Sequence, residues 1–392
     1  MREKLKVVSS TPAFSGVVAG LAGVVFVLLR LGIVAHWNPG VFAVVGRVFA
    51  IPSQVPHGIP VIPGTGYDGE FYLRLAYDPF DYATRAFGIT FNASYRLQRV
   101  VYPFLSWLAA GGQAGAVPWS LIWVNVAALA ATGYFGARLA SEMGRPAVWG
   151  VVVAGYFGFL FTIGRDTAEV VAIALMVAAL VALRQGKVVI AGVVLAAAVL
   201  TRETMALVPL ALGIVRLAEI LKDRKGQLRV KSTDAAWAIP GVVFLAWQAV
   251  IYLITGKVPF HSDARTNLGT PFVAMAGAIA RYVPEALHGE LAPAIWVVEL
   301  VGLAVVVIWG LFGLRGSSRP YEKVAFALSL VMAVSLAGGI WYGQADFRSL
   351  ASVYVLAVIV GMGGRRRALQ PVILAGLAAL WLVTFVHRVT FL

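Results

Sequence analysis

Apolar runs of bilayer-crossing length recur along the whole chain, near residues 14–36, 117–138, 147–164, 167–184, 188–201, 204–218, 236–255, 293–314, 322–340, 348–363 and 369–387. A spanning helix needs roughly 20 apolar residues. Hydrophobic residues make up 60% of the 392 and charged residues only 13%, with a mean hydropathy of +0.84. Soluble domains run at about 45–50% apolar and about 25% charged, so an ordinary globular enzyme is excluded. The expected fold is all-α: a polytopic transmembrane helical bundle of about eleven spans, one domain over residues 1–392 with no appended soluble catalytic domain. With no cysteine in the chain, disulfides, thiolate metal sites and thiol nucleophiles are excluded too.

Charge sets the expected topology. The chain carries 32 Lys and Arg against 18 Asp and Glu, a formal net charge of +14. In a membrane chain such a balance reads as loops that hold orientation and meet anionic lipid, with no nucleic acid partner. The basic clusters are Arg2/Lys4/Lys6, Arg138/Arg145, Arg184/Lys187, the run Arg216 to Lys231, Arg315/Arg319/Lys323 and Arg365–Arg367. All can be cytoplasmic together only if segment 97–113 does not cross, but lies at the outer interface as an amphipathic helix. This topology gives a multi-pass protein of the plasma (inner) membrane with a cytoplasmic N-terminus. It puts the basic loop 216–234 inside, and the long loop 37–116 and a second loop 256–292 outside. The rival topology lets 97–113 span and buries Thr201–Thr204 in mid-helix, where an Arg or Asp costs about 2.5–3.5 kcal/mol. The first residues resemble the charged start of a signal peptide, but the apolar run from Phe14 to Ala35 is too long for a cleaved one.

The most informative polar stretch is 64–81, which begins Gly-Thr-Gly-Tyr-Asp-Gly-Glu-Phe-Tyr. Gly64, Gly66 and Gly69 have dinucleotide-fingerprint spacing, yet that fingerprint needs a βαβ unit, and here an apolar span and a Pro-rich loop precede it. Four acids, Asp68, Glu70, Asp78 and Asp81, share this outer loop. A turn can aim Asp68 and Glu70 at one point, as base and orienter or as metal ligands. Apolar neighbours Tyr67, Phe71 and Tyr72 would raise a carboxyl toward the range useful for a general base. The plainer reading is a set of solvated loop acids.

A loop with Tyr-Asp-Gly-acidic-Phe-Tyr and a following Asp-Pro, directly after span one, resembles bacterial multi-span proteins of cell-surface glycopolymer formation in the cell envelope. More distantly it is similar to the C-type (GT-C) integral-membrane glycosyltransferases, whose first outer loop carries an essential Asp and interfacial helices. The likeness is close over 67–79, loose over 95–104 with Pro103, and elsewhere limited to span order. It implies that Asp68 occupies the catalytic acidic position and Glu70 its acidic neighbour. It also implies a polyprenyl-phosphate sugar donor, a glycan or lipid acceptor outside the membrane, and contact with membrane lipid. This chain lacks the adjacent Asp-Glu pair of some members.

Such chemistry needs a base, cations for a leaving phosphate and a groove for a lipid tail. Arginine binds phosphate oxygens bidentately, and the outer-side candidates are Arg96, Arg99, Arg165, Arg202, Arg265 and Arg348, with Tyr67 beside the loop acid. Arg202 and Glu203 interrupt an apolar stretch, so they face either a cavity or each other in a salt bridge. Asp166 and Glu169 read as a capping box, and Asp346 as a helix cap. None of the five histidines pairs at metal-ligand spacing, so no metal site is assigned beyond an optional divalent cation at Glu70. The expected function is lipid-linked glycosyl transfer, with Asp68 as base. The alternatives are a transporter or flippase for a lipid-linked sugar or other anion, using the same arginines without a base, and a silent scaffold.

Overall fold

The computed structural model describes residues 11–222, 231–261, 267–364 and 370–390. The first half comprises α1 (Pro12–Ile33), α2 (Gly69–Tyr77), α3 (Val101–Ala109), α4 (Val117–Glu142), α5 (Trp149–Ala154), α6 (Gly158–Gly164), α7 (Glu169–Arg184), α8 (Val188–Thr201) and α9 (Leu207–Lys222). The second comprises α10 (Ala235–Thr255), α11 (Val273–Leu287), α12 (Leu291–Gly313), α13 (Pro320–Val334), α14 (Gly338–Trp341), α15 (Ala351–Met362) and α16 (Gln370–Thr390). Segment 37–116 adds two small ribbons that an all-helical reading does not include: β1 (Val45–Gly46) parallel to β2 (Val61–Ile62), and β3 (Arg85–Ala86) antiparallel to β4 (Ile89–Thr90).

The chain is a helical membrane protein: among the described residues, six helical stretches are long and apolar enough to cross a bilayer. They contain α1, α4, α9, α10 and α12 and most of α16. The expected eleven full spans are thus not all present as single helices. The run 147–164 is cut at Gly155–Phe157 into α5 and α6, while α7, α8 and α15 are 16, 14 and 12 residues long. Hydropathy registers an apolar run and not a break in its hydrogen bonding. α3 has 9 residues, about 14 Å at 1.5 Å per residue, against a hydrocarbon core of about 30 Å.

Helix α1 packs on α4 through small residues. A Cβ at Gly16 would meet the Ala130 carbonyl and Tyr134 Cβ at 3.1 Å, so the backbones approach closely. Val17, Leu21, Val25 and Leu28 lie exposed on the other face of α1, as do Val298, Val301, Val305 and Ile308 on α12. Their three- and four-residue spacing is that of a lipid-facing stripe.

Polar contacts gather at the two ends of the bundle. At one end Arg184 closes α7 and grips Glu322 of α13 through Nε–Oε1 at 2.8 Å and Nη2–Oε2 at 2.7 Å. Beside them Arg145 donates to the Met362 and Gly364 carbonyls at 2.8 and 2.7 Å, and Gln185 donates to Glu142 at 2.9 Å. Several basic clusters of the sequence therefore meet at one end. At the opposite end, Glu203 after α8 and Arg348 before α15 meet segment 37–116. Arg184 and Glu322 side chains are 8% and 0% exposed, so Arg184→Ala strands a buried carboxylate, at a cost of about 3–5 kcal/mol. Thermal unfolding in detergent should show this loss, and Arg184→Met with Glu322→Leu should recover most of it.

Candidate functional site

The loop glycines shape the entry to the site. Gly66 has φ +64, and a Cβ there would strike the Val44 carbonyl at 2.6 Å, while a Cβ on Gly69 would strike the Ala43 carbonyl at 2.7 Å. The glycine spacing thus serves close backbone packing of α2 against the β1 segment, with no dinucleotide fold around it.

Asp68 stands at the start of α2 with helical backbone angles and no capping bond. Its Oδ1 accepts from Arg96 Nη1 at 2.5 Å and its Oδ2 from Arg348 Nη2 at 2.7 Å, with Arg99 Nη1 4.0 Å from Oδ2. The side chain is 17% exposed. Burial alone would raise this carboxyl, as the sequence suggests, but Arg96, Arg348 and Arg99 outweigh it and hold the group well below the usual carboxylate range. The expectation of a raised Asp68 is corrected accordingly: its apolar neighbours are present, but guanidiniums are closer.

Arg348, just before α15, binds three residues at once. Nε donates to the Tyr67 hydroxyl at 2.9 Å, Nη2 to Asp68, and Nη1 to Glu169 Oε1. Glu169 Oε1 also meets Arg202 Nη1 at 2.7 Å, and Arg202 Nη2 donates to Ser349 Oγ at 3.3 Å. Arg202 is extended, φ −153 and ψ 123, where α8 stops and a short 3-10 turn leads to α9. That break aims Arg202 and Glu203 at different partners. Glu203 takes a two-pronged grip from Arg99, Nε–Oε2 2.9 Å and Nη2–Oε1 2.7 Å, and a third bond from Gln98 at 3.3 Å. The adjacent pair Arg202 and Glu203 therefore serve interspan bonds, not each other.

Glu169 was expected to cap its helix together with Asp166. The structure corrects this: the N-cap of α7 is Ala168, with no side-chain cap, and Glu169 joins the arginines. Asp166 is buried with φ +47, and neither carboxylate oxygen has a hydrogen-bond partner. Burial pushes its carboxyl well above the usual range, against the pull of Arg30.

Four guanidiniums, Arg96, Arg99, Arg202 and Arg348, thus face three carboxylates, Asp68, Glu169 and Glu203. With all ionised, the cluster carries one positive charge in excess. It adjoins a narrow crevice lined by Glu169, Arg202, Thr204, Arg348, Ser349 and Ser352 among others. An anion entering here would meet arginine forks and hydroxyls.

Glu70 sits apart. On a helix, residues two apart point in opposite directions, so α2 separates Asp68 from Glu70 where a turn would have aimed both at one point. Glu70 Oε2 accepts the Gly46 amide at 2.9 Å, and Oε1 has no partner. Burial lifts its carboxyl to about 7, opposed by that amide and Arg96 and assisted by Asp68. The sign follows from linkage: a carboxyl raised in the folded state ionises first in the unfolded chain, so stability falls as pH rises from the ordinary carboxylate range to about 7. Glu70→Gln should flatten the change in thermal midpoint between pH 5 and 8, measured by scanning fluorimetry.

Arg165 also lies outside the cluster, over the rings of Tyr67 and Phe161 at 5.5 and 5.3 Å. Arg265 lies outside the described residues. Among those described, no group of three or more metal-ligating acids or histidines occurs. Sequence reasoning missed Arg30 and Arg388, although a lone arginine in a span is itself a pointer to function.

Neither a protein-family profile nor any curated protein matches the chain. Among solved structures, the chain is similar to the crystal structure of ArnT from Cupriavidus metallidurans bound to undecaprenyl phosphate, with 12% identity and a TM-score of 0.44. The alignment covers 87% of this chain and 59% of that one, so the chain spans about three-fifths of that protein's length.

Proposed function

We propose that this chain is a membrane glycosyltransferase that moves a sugar from a polyprenyl-phosphate-linked donor to a glycan or lipid acceptor on the outer side of the plasma membrane. One observation carries the reading: the Asp68 carboxylate is held between Arg96 and Arg348, beside a cavity lined by Arg202, in a cluster with surplus positive charge. The sequence likeness of 67–79 to cell-surface glycopolymer proteins agrees with it.

The reaction breaks the bond from the anomeric carbon to the phosphate oxygen and forms one to an acceptor hydroxyl. The donor phosphate competes with Asp68 for the arginines, since both are oxyanions seeking the same forks. Phosphate binding therefore loosens the hold that keeps Asp68 a weak base, and the freed carboxylate takes the acceptor proton. Arg96, Arg99, Arg202 and Arg348 steady the departing polyprenyl phosphate. Tyr67 orients Arg348, and Glu203 orients Arg99. Glu70, buried apart from these residues and holding the Gly46 amide, does not fit a divalent cation.

The α8–α9 break, and the break between α5 and α6, favour a second reading: transporters place such breaks at their substrate sites, and an anion carrier would need the arginines without a base. Purified protein with a labelled polyprenyl-phosphate sugar and soluble acceptor separates the two. Product formed in detergent supports transfer. Movement of label only across sealed vesicles, without product, supports transport and overturns the enzyme.

A further inference from the structure

A second, narrow crevice, separate from the Asp68 cluster, opens to solvent between α1, α6 and α16. Its polar lining is three arginines, Arg30, Arg165 and Arg388; Phe26, Leu160 and Phe161 supply the apolar walls. These residues come from widely separated parts of the chain, so the clustering is a product of the fold. Three like charges held together in a half-apolar crevice repel one another. An anion seated among them relieves that repulsion.

The acids nearby offset part of this charge, Glu299 at Arg388 and Asp166 at Arg30. Arg388 Nη2 reaches Glu299 Oε1 at 3.4 Å, and Arg30 Nη1 donates to the Arg388 carbonyl at 2.7 Å. Asp166, next in sequence to Arg165, has neither oxygen hydrogen-bonded. Among the described residues Arg165 has no carboxylate partner, and its guanidinium lies over the Tyr67 and Phe161 rings. Stacked this way, a guanidinium is preorganised and keeps its N–H edge for an oxyanion.

We infer that Arg30, Arg165 and Arg388 form a second anion site that takes the phosphate group of an amphiphile whose apolar part lies along α1 and α16. The enclosed space is about that of one water molecule, so the phosphate seats at the open mouth of the crevice, and neither a sugar nor a lipid chain enters it. Val25, Leu29, Leu382, Val383 and Val386 are exposed on the flanking helices and give the tail an apolar track. Tyr67 connects the two sites: its ring carries Arg165 and its hydroxyl accepts from Arg348. This site does not depend on glycosyl transfer at Asp68.

The test uses the full chain, delipidated in neutral detergent, with native mass spectrometry of bound ligand. The probes are phosphatidic acid, diacylglycerol with the same tails, and inorganic phosphate. Phosphatidic acid should bind, diacylglycerol should not, and Arg165→Gln should weaken the binding at least about tenfold, as for loss of a charge-assisted bond. Arg165→Lys should restore part of it, and its unchanged thermal midpoint would show that the fold is intact. Arg202→Gln, in the other cavity, should leave the Arg165-dependent part of that binding unaltered. Phosphatidic acid held much more tightly than inorganic phosphate identifies a lipid headgroup, whereas equal affinity assigns the site to free phosphate and removes the tail from the inference. Equal retention of diacylglycerol, or binding lost in Arg202→Gln and kept in Arg165→Gln, overturns the site.

Discussion

Asp68→Asn is expected to lower turnover of a polyprenyl-phosphate-linked sugar by roughly 10²–10⁴-fold, the range a positioned general base contributes. The protein should stay folded and bind its donor more tightly. The two effects separate because Asp68 has two roles. Asparagine keeps the side-chain size, and its carbonyl oxygen can still accept from one of Arg96 and Arg348, while its NH2 replaces the oxygen that the other used, so the cluster is loosened on one side and not dismantled. It cannot take a proton, which removes the catalytic step. It also removes the carboxylate that competes for Arg348 and Arg96 at 2.7 and 2.5 Å, leaving those guanidiniums readier for phosphate. Single-turnover kinetics with a separate donor-binding measurement would read both quantities. A variant with undiminished turnover sinks the assignment of Asp68 as base. Loss of turnover with equally weakened donor binding would instead make Asp68 an organiser of the arginines. Glu169→Gln provides the contrast: it changes the same charge count, across the shared partner Arg348, without touching the proposed base.

Much of the clustering around Asp68 was legible because ionisable residues are rare in an apolar chain and must find partners. Arg202 and Glu203 break an apolar stretch, and Arg96, Arg99 and Arg348 lie in segments joining the helices; all meet around Asp68. The pairings were not legible, because they depend on backbone direction. Adjacent residues Arg202 and Glu203 diverge only because Arg202 is extended, and Asp68 and Glu70 diverge only because their backbone is helical. Glu169 was misread through a local pattern: Asp-x-x-Glu fits a capping box, but Asp166 takes a left-handed turn two residues before the true N-cap. The protonation of Asp68 was misjudged for a related reason. Burial by Tyr67 and Phe71 follows from sequence neighbours, whereas Arg348 arrives from 280 residues away. Arg30 escaped notice because one charge barely lowers the hydropathy of a 22-residue helix.

Arg348→Lys should cost about 10²-fold or more in kcat/KM, and Arg348→Ala about 3–5 kcal/mol of stability besides. Arg348 uses three separate nitrogens on three partners, the Tyr67 hydroxyl, Asp68 and Glu169. A lysine ammonium carries the same charge on one atom and cannot span that triangle, so the charge survives while the geometry fails. The pH profile tells the two roles apart. In the wild type, the acid limb controlled by Asp68 lies below the ordinary carboxylate range, since burial raises this group but Arg96, Arg348 and Arg99 prevail. Removing one of those cations lets burial regain ground, so the carboxyl rises and activity fades at a higher pH in Arg348→Ala than in the wild type. Arg348→Lys, with its charge retained, should shift this limb less while losing comparable rate at neutral pH. Identical acid limbs in all three proteins would mean that Asp68 is not the group titrating, and the base would have to be sought elsewhere in the cluster.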